Sequence, residues 1–196
     1  MPERYSGVDK PDTVRSSRLR NFIREHLLSR PLKETRSYQD SVLDIGCGWG
    51  SYLKINPEAY GIDSDDNCVD YLQQKGYKVV KGDLLARFPF DDGQFRCVIA
   101  HDVLEHFEYD EIQLIFHETH RVLEKEGLFL ILVPHQRGYN YGLRINAGHR
   151  YYLQPHEIIS LGRAKFMLKK EYPYPLPRAP GRYFTHNKEV VVLEKL

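Results

Sequence analysis

Short apolar runs that stop at an acid or a glycine recur along this chain, and stretches of helical period separate them. Val42-Leu43-Asp44-Ile45 runs into three glycines, Ala59-Tyr60-Gly61-Ile62 into Asp63, and Tyr77-Lys78-Val79-Val80 into Gly82-Asp83. Runs of this length bounded by turn residues predict strands. Residues 66–74, stopped by Gly76, predict a helix, and Arg96-Cys97-Val98-Ile99-Ala100 predicts a fourth strand. Over 110–124, Ile112, Ile115, Phe116, Thr119, Val122 and Leu123 share one helical face. Gly127 is the expected stop of that helix, and 128–133 is an unbroken apolar strand.

Toward the C-terminus, Pro155 suits the first turn of a helix running to about Leu161, and 166–171 and 190–194 predict two final strands. The intervening loop, 172–188, holds four prolines, and long stiffened loops are often functional. Upstream, Asp12 can cap a helix in which Val14, Leu19, Phe22, Ile23 and Leu27 form a stripe ending near Ser29. The alternation of strand and helix predicts an α/β fold, doubly wound around a mostly parallel sheet with helices on both faces. A single domain over 1–196 is expected: a helical segment at 1–40, a core at 41–133, and substrate-side loops with terminal strands at 134–196.

Composition narrows the class of protein. The chain has 196 residues, 41% hydrophobic and 28% charged, the range of a soluble globular domain with one sizeable core. No apolar run approaches the roughly 20 residues that span a bilayer. The N-terminus lacks a secretion pattern, so a cytoplasmic location is expected. Cys47, Cys68 and Cys97 have neither the count nor the spacing of a disulfide framework or zinc knuckle. The net charge of +1 hides an asymmetry: residues 1–133 carry 17 Lys+Arg against 23 Asp+Glu, and 134–186 carry 9 against 2. The later segment therefore suits an anionic partner or forms a solvated basic face.

The chemistry gathers at the strand ends. In Asp44-Ile45-Gly46-Cys47-Gly48-Trp49-Gly50 the glycines let backbone N–H groups approach a ligand closely, and for Cys47 only the backbone need matter. The spacing Gly-x-Gly-x-Gly departs from the Gly-x-Gly-x-x-Gly of nicotinamide-binding folds, which sets a dehydrogenase far down the list. Asp63, followed by Ser64, closes the next strand, where a carboxylate can accept from both ribose hydroxyls. Asp83 can receive an adenine amine. Singly, each aspartate is as readily a turn residue or helix cap; three in register point to a nucleoside cofactor.

At these residues, and at Val98-Ile99-Ala100-His101-Asp102-Val103-Leu104-Glu105-His106, the chain resembles the class I S-adenosylmethionine-dependent methyltransferases, of the small "methyltransferase type 11" kind. Arg121-Val122-Leu123 followed by Gly127-Leu128 fits the same pattern, and the resemblance runs from about 40 to 165. It implies a seven-stranded sheet with an antiparallel last strand. It also implies S-adenosyl-L-methionine as cofactor and S-adenosyl-L-homocysteine as product. Asp44, Gly46, Cys47, Gly48 and Gly50 would hold the methionine end, Asp63 with Ser64 the ribose, and Asp83 with Leu84 the adenine. His101 would lie near the transferred methyl. The short stretch from Gly50 to Ala59, with Pro57 inside it, implies an abbreviated helix after the glycine turn.

A sulfonium methyl needs positioning more than covalent help, so the resemblance names no base; Glu105, His106 and His149 are the candidate catalytic residues. The segment Asp102-Val103-Leu104-Glu105-His106 with a distant His149 is similar to metal-assisted methyltransferases, where a divalent ion lowers a hydroxyl's pKa. Metal-free relatives carry Leu-Glu-His too, and a metal is the lesser reading. Arg137, Arg144, Arg150 and Tyr151 are candidate substrate contacts, with Tyr139, Tyr141 and Tyr152 nearby in sequence and Arg178 and Arg182 in the proline-rich loop. The first expectation for the acceptor is a small molecule or a lipid- or sugar-linked group, with an anionic group suiting the basic loops. The second is RNA or a nucleotide on a basic track. The third reading is a non-catalytic binding module, which the intact Gly46, Gly48, Asp63 and Asp83 disfavour.

Overall fold

The computed structural model describes residues 30–134, 153–174 and 188–196. Its strands are β1 (Val42–Ile45), β2 (Tyr60–Asp63), β3 (Lys78–Lys81), β4 (Phe95–His101), β5 (Leu123–Pro134), β6 (Phe166–Tyr174) and β7 (Lys188–Lys195). They form one sheet in the order β3-β2-β1-β4-β5-β7-β6. The first five pair in parallel, and β7 runs antiparallel to both β5 and β6. The chain winds outward from β1 to β3, then returns to place β4 on the other side of β1. That reversal opens a crevice at the carboxyl ends of β1 and β4, where ligands bind in such sheets.

The longer helices are α1 (Asp66–Gln74), α2 (Tyr109–Val122) and α3 (Pro155–Gly162). Because strand residues alternate between faces, β4 divides its side chains between two apolar clusters. Val98 and Ala100 pack with Ile112, Ile115 and Phe116 of α2 and Ile158 of α3. Cys97 and Ile99 pack with Val69 and Leu72 of α1 and with Leu32, Tyr52 and Leu53. Helices thus cover both faces, as the alternation predicts. Local chemistry starts each helix: the Asp65 carboxylate accepts from the Asn67 N–H at 2.8 Å, and Glu108/Glu111 and Gln154/Glu157 form capping boxes.

Some boundaries differ from expectation. The helix expected to reach Glu124 stops at Val122, because Leu123 already pairs with Phe95 of β4. The ladder then breaks register before Cys97 meets Leu128, with Glu126 at φ 62 forming the tight turn ahead of Gly127. After the glycine turn there is no helix, only hydrogen-bonded turns such as Lys54 N–H to Gly50 O at 3.1 Å. The helix expected over 12–29 lies outside the described residues. The segment that follows it, a helical turn Arg30–Lys33 and 3-10 turns over Glu34–Ser41, is held to the core by Thr35 Oγ1 and Tyr52 Oη at 2.6 Å.

Arg121 ties the β3–β4 connection to α2. Its guanidinium donates to both Glu118 oxygens, to the Phe88 and Phe90 carbonyls at 3.0 and 2.9 Å, and to Asp92 at 2.7 Å. Burial pushes the Glu118 pKa up, but the bonds from Arg121 and the Phe88 N–H outweigh it and hold the carboxyl below its usual value. A folded pKa below the unfolded one gives stability that is complete above the unfolded value of about 4.3 and is lost as pH falls through the folded one. In urea titrations at neutral pH, Arg121→Ala is expected to lower the unfolding free energy by about 2–3 kcal/mol, since it leaves Glu118 and two carbonyls without their donor. Asp92→Ala, at the exposed end, is expected to cost less than about 0.5 kcal/mol; equal effects would contradict this.

Candidate active site

The glycine turn is built by β2. Ile62 O accepts from both the Gly46 N–H (2.9 Å) and the Cys47 N–H (3.2 Å). Asp63 Oδ2 then accepts from the Gly48 N–H at 2.7 Å, while Oδ1 accepts from the Asp65 N–H at 2.9 Å. The Cys47 carbonyl accepts from the Gly50 N–H at 2.9 Å and closes the turn. Cys47 itself is buried, and burial pushes its thiol pKa far up, so it is an inert filler under the turn.

The glycines answer different demands. Gly46 has φ +64, and a Cβ there would meet Val103 Cγ2 at 2.4 Å, with Leu84 Cδ1 at 3.8 Å. Gly48 has φ +50, but among the described residues a Cβ there would meet nothing within 4 Å. Leu84 from beyond β3 and Val103 from beyond β4 close in on Gly46, while the described residues leave the space over Gly48 open. Leu84 is buried beside the turn, and Asp83 is exposed, its Oδ1 accepting from the Leu85 N–H at 2.9 Å.

Two acids meet at this edge. Asp44 is buried, and burial followed by the charge of Asp63 raises its pKa well above the carboxylate range. Burial also raises Asp63, against the lowering effect of the Asp65 and Gly48 N–H groups. No salt bridge to either acid is seen among the described residues. Desolvated carboxyls so placed favour a ligand that brings hydroxyl donors or a cation. S-adenosylmethionine carries ribose hydroxyls, an ammonium and a sulfonium, and so fits this donor-poor acidic edge.

At the end of β4, His101 and Asp102 meet Lys188, the first residue of β7. Lys188 Nζ lies 2.9 Å from His101 Nε2 and is hydrogen-bonded to Asp102 Oδ2. Asp102 has φ 56, and its N–H donates to Leu132 O at 3.0 Å. Sequence reading missed Lys188, which stood only as the end of a loop; its pairing comes from β7 lying two strands from β4, which no local pattern reveals. Glu105 is 1% exposed, and neither of its oxygens has a hydrogen-bond partner among the described residues. Burial, then the charge of Asp102, pushes its pKa up to about 8 against the pull of Lys188. His106 occupies the same 3-10 turn, Leu104–His106.

The structure brings together Asp44, Gly46, Cys47, Gly48, Gly50, Asp63, Ser64, Leu84 and His101 along one sheet edge, with Asp83 at its margin. His149, Arg137, Arg144, Arg150, Tyr151, Tyr139, Tyr141, Tyr152, Arg178 and Arg182 lie outside the described residues. Among the described residues no three His, Cys, Asp or Glu side chains converge as a metal site. Asp102 is engaged by Lys188, and burial holds Glu105 toward its protonated form. No helix among the described residues is long and apolar enough to cross a membrane.

Comparison with known proteins agrees with this geometry. Residues 43–131 match a family described as a methyltransferase domain. Over those residues the chain is similar to that family, and its fold is that of S-adenosylmethionine-dependent methyltransferases. It is 36% identical over 95 residues to the probable tRNA methyltransferase 9B of Mus musculus, covering 47% of this chain and 21% of that protein. It is 30% identical over 139 residues to a tRNA (carboxymethyluridine(34)-5-O)-methyltransferase of Schizosaccharomyces pombe, covering 68% and 55%. The chain thus spans only a fifth to about half of these relatives. In fold it is similar to the PH0226 protein from Pyrococcus horikoshii OT3, with a TM-score of 0.70, 19% identity and 93% of each chain covered. It is also similar to a SAM-dependent methyltransferase from Methanosarcina mazei, with a TM-score of 0.63, 17% identity, and 81% of this chain and 93% of that one covered.

The two glycines should separate in mutagenesis. Gly46→Ala is expected to lower the thermal midpoint by several degrees, because Val103 and the positive φ both resist it. Gly48→Ala is expected to cost only about 1 kcal/mol of backbone strain yet to weaken S-adenosylmethionine binding by about tenfold or more. Thermal shift and calorimetry on both variants check this; cofactor binding unchanged in Gly48→Ala would contradict it.

Proposed function

We propose that this protein transfers a methyl group from S-adenosylmethionine to an ionised oxygen, that of a carboxylate carried on an RNA nucleoside. The observation that carries the cofactor half is the space that the described residues leave open over Gly48, flanked by the raised acids Asp44 and Asp63. In this reading Asp63 takes the ribose hydroxyls and Asp44 the methionine end. Asp83 and Leu84 frame the adenine, and His101 stands beside the methyl.

The acceptor half is supported by the relatives, which are tRNA methyltransferases by name, and by the similarity to the Schizosaccharomyces pombe enzyme extending over 139 residues. The 9 to 2 excess of basic residues in 134–186 suits a phosphate track. RNA, second in the sequence reading, thereby moves ahead of the small-molecule acceptor. Bound S-adenosylmethionine supplies a methyl on a sulfonium whose displacement leaves a neutral thioether. A carboxylate is already ionised at neutral pH, so the chain's task is alignment and exclusion of water rather than proton removal.

Incubation with methyl-labelled cofactor and total RNA from the source cells tests the acceptor. Label is expected in the RNA and is expected to be released by mild alkali, as a methyl ester requires. Label only in the small-molecule fraction would favour the displaced reading, and alkali-stable label would remove the carboxylate. The raised acids add a pH test. Burial raises both carboxyls, so they take up protons at higher pH than free ones, and cofactor affinity is expected to fall as pH is lowered, beginning above the range in which a free carboxylate titrates. A flat calorimetric profile would contradict it.

A further inference from the structure

Lys188 and His101 lie on strands separated by β5, so about 10 Å of sheet lies between their backbones. The lysine stem bridges that gap and brings Nζ to 2.9 Å from His101 Nε2, with a second hydrogen bond to Asp102. Both side chains are largely withdrawn from water, at 14% exposure for Lys188 and 20% for His101. Asp102 offsets the desolvation of the ammonium and leaves the cluster close to neutral overall. An ammonium has three donors and no acceptor. With Lys188 protonated, its Nζ donates to His101 Nε2 at 2.9 Å, closer than Asp102 Oδ2 at 3.5 Å, so Nε2 accepts and the ring proton sits on Nδ1.

We propose that Lys188 is a positioning residue that holds His101 as the neutral Nδ1–H tautomer, at the sheet edge where the methyl is transferred. The tautomer follows from the contact itself; its bearing on catalysis rests on the reading above that His101 stands beside the methyl. The consequence is electrostatic. An imidazolium beside a sulfonium would oppose cofactor binding, and the lysine, by occupying Nε2, denies that nitrogen its proton. Lys188 is the first residue of β7, so the same contact joins β7 to the end of β4.

The test is long-range proton–nitrogen NMR of the uniformly nitrogen-15-labelled chain without cofactor at neutral pH, with His101 assigned by its loss in His101→Gln. The wild type is expected to show a protonated Nδ1 and an unprotonated Nε2. Lys188→Met, which frees Nε2 to take a proton, is expected to shift the ring toward the Nε2–H and imidazolium forms and to weaken S-adenosylmethionine binding about tenfold, with affinity for S-adenosylhomocysteine, which lacks the sulfonium charge, held within about twofold. Lys188→Gln, which keeps a donor without the charge, is expected to retain the wild-type tautomer. A wild-type ring protonated on Nε2 overturns the proposal, and that result needs no variant to fold. An unchanged Nδ1–H ring in Lys188→Met also overturns it. Absence of methyl transfer to RNA alongside the expected spectra would remove the acceptor reading and leave the positioning role standing.

Discussion

The Asp63 carboxylate is the constraint on which this active site depends. One oxygen receives the Gly48 N–H at 2.7 Å and the other starts the approach to α1 through the Asp65 N–H. The first bond pins the turn after β1 to the end of β2, alongside two N–H groups on Ile62 O. The turn can hold its left-handed glycines only because that neighbouring strand end supplies acceptors for its donors. The same carboxylate is partly desolvated and lies beside buried Asp44, so the interaction that shapes the loop leaves each oxygen with acceptor capacity that, in the proposed reading, takes the ribose hydroxyls.

The rest of the architecture supplies that juxtaposition. A turn between β1 and β2 alone would be exposed; the return of the chain to β4 brings Val103 against Gly46 and buries the turn from the other side. The antiparallel β7 then places Lys188 over the end of β4. In the proposed reading, methionine end, ribose and transferred methyl fall to residues at the ends of the neighbouring strands β1, β2 and β4. This explains how a protein can run methyl transfer with few dedicated catalytic groups, because most of the barrier is met by alignment.

Much of this was legible in the sequence because it is local. Each parallel strand is an apolar run ended by Asp or Gly, and α2 carries a full stripe from Ile112 to Val122. The cofactor-edge residues were readable for the same reason, since each follows a strand directly. The end of α2 was not, because Leu123 answers to Phe95 across the sheet rather than to its own helical period. Lys188 was invisible as a site residue because its partner is 87 positions away. Glu105 was visible as part of Leu-Glu-His, but its burial without a hydrogen-bond partner among the described residues is a tertiary fact.

The most direct test of this account is calorimetric titration of S-adenosylmethionine into the wild type and Asp63→Asn at neutral pH, with circular dichroism as a check on folding. The amide keeps one acceptor for the Gly48 N–H but removes the charge and the second acceptor. The account predicts a folded variant whose affinity is reduced about 10- to 100-fold, the worth of hydrogen bonds to a charged group. A folded Asp63→Asn protein binding within about twofold of wild type would contradict it.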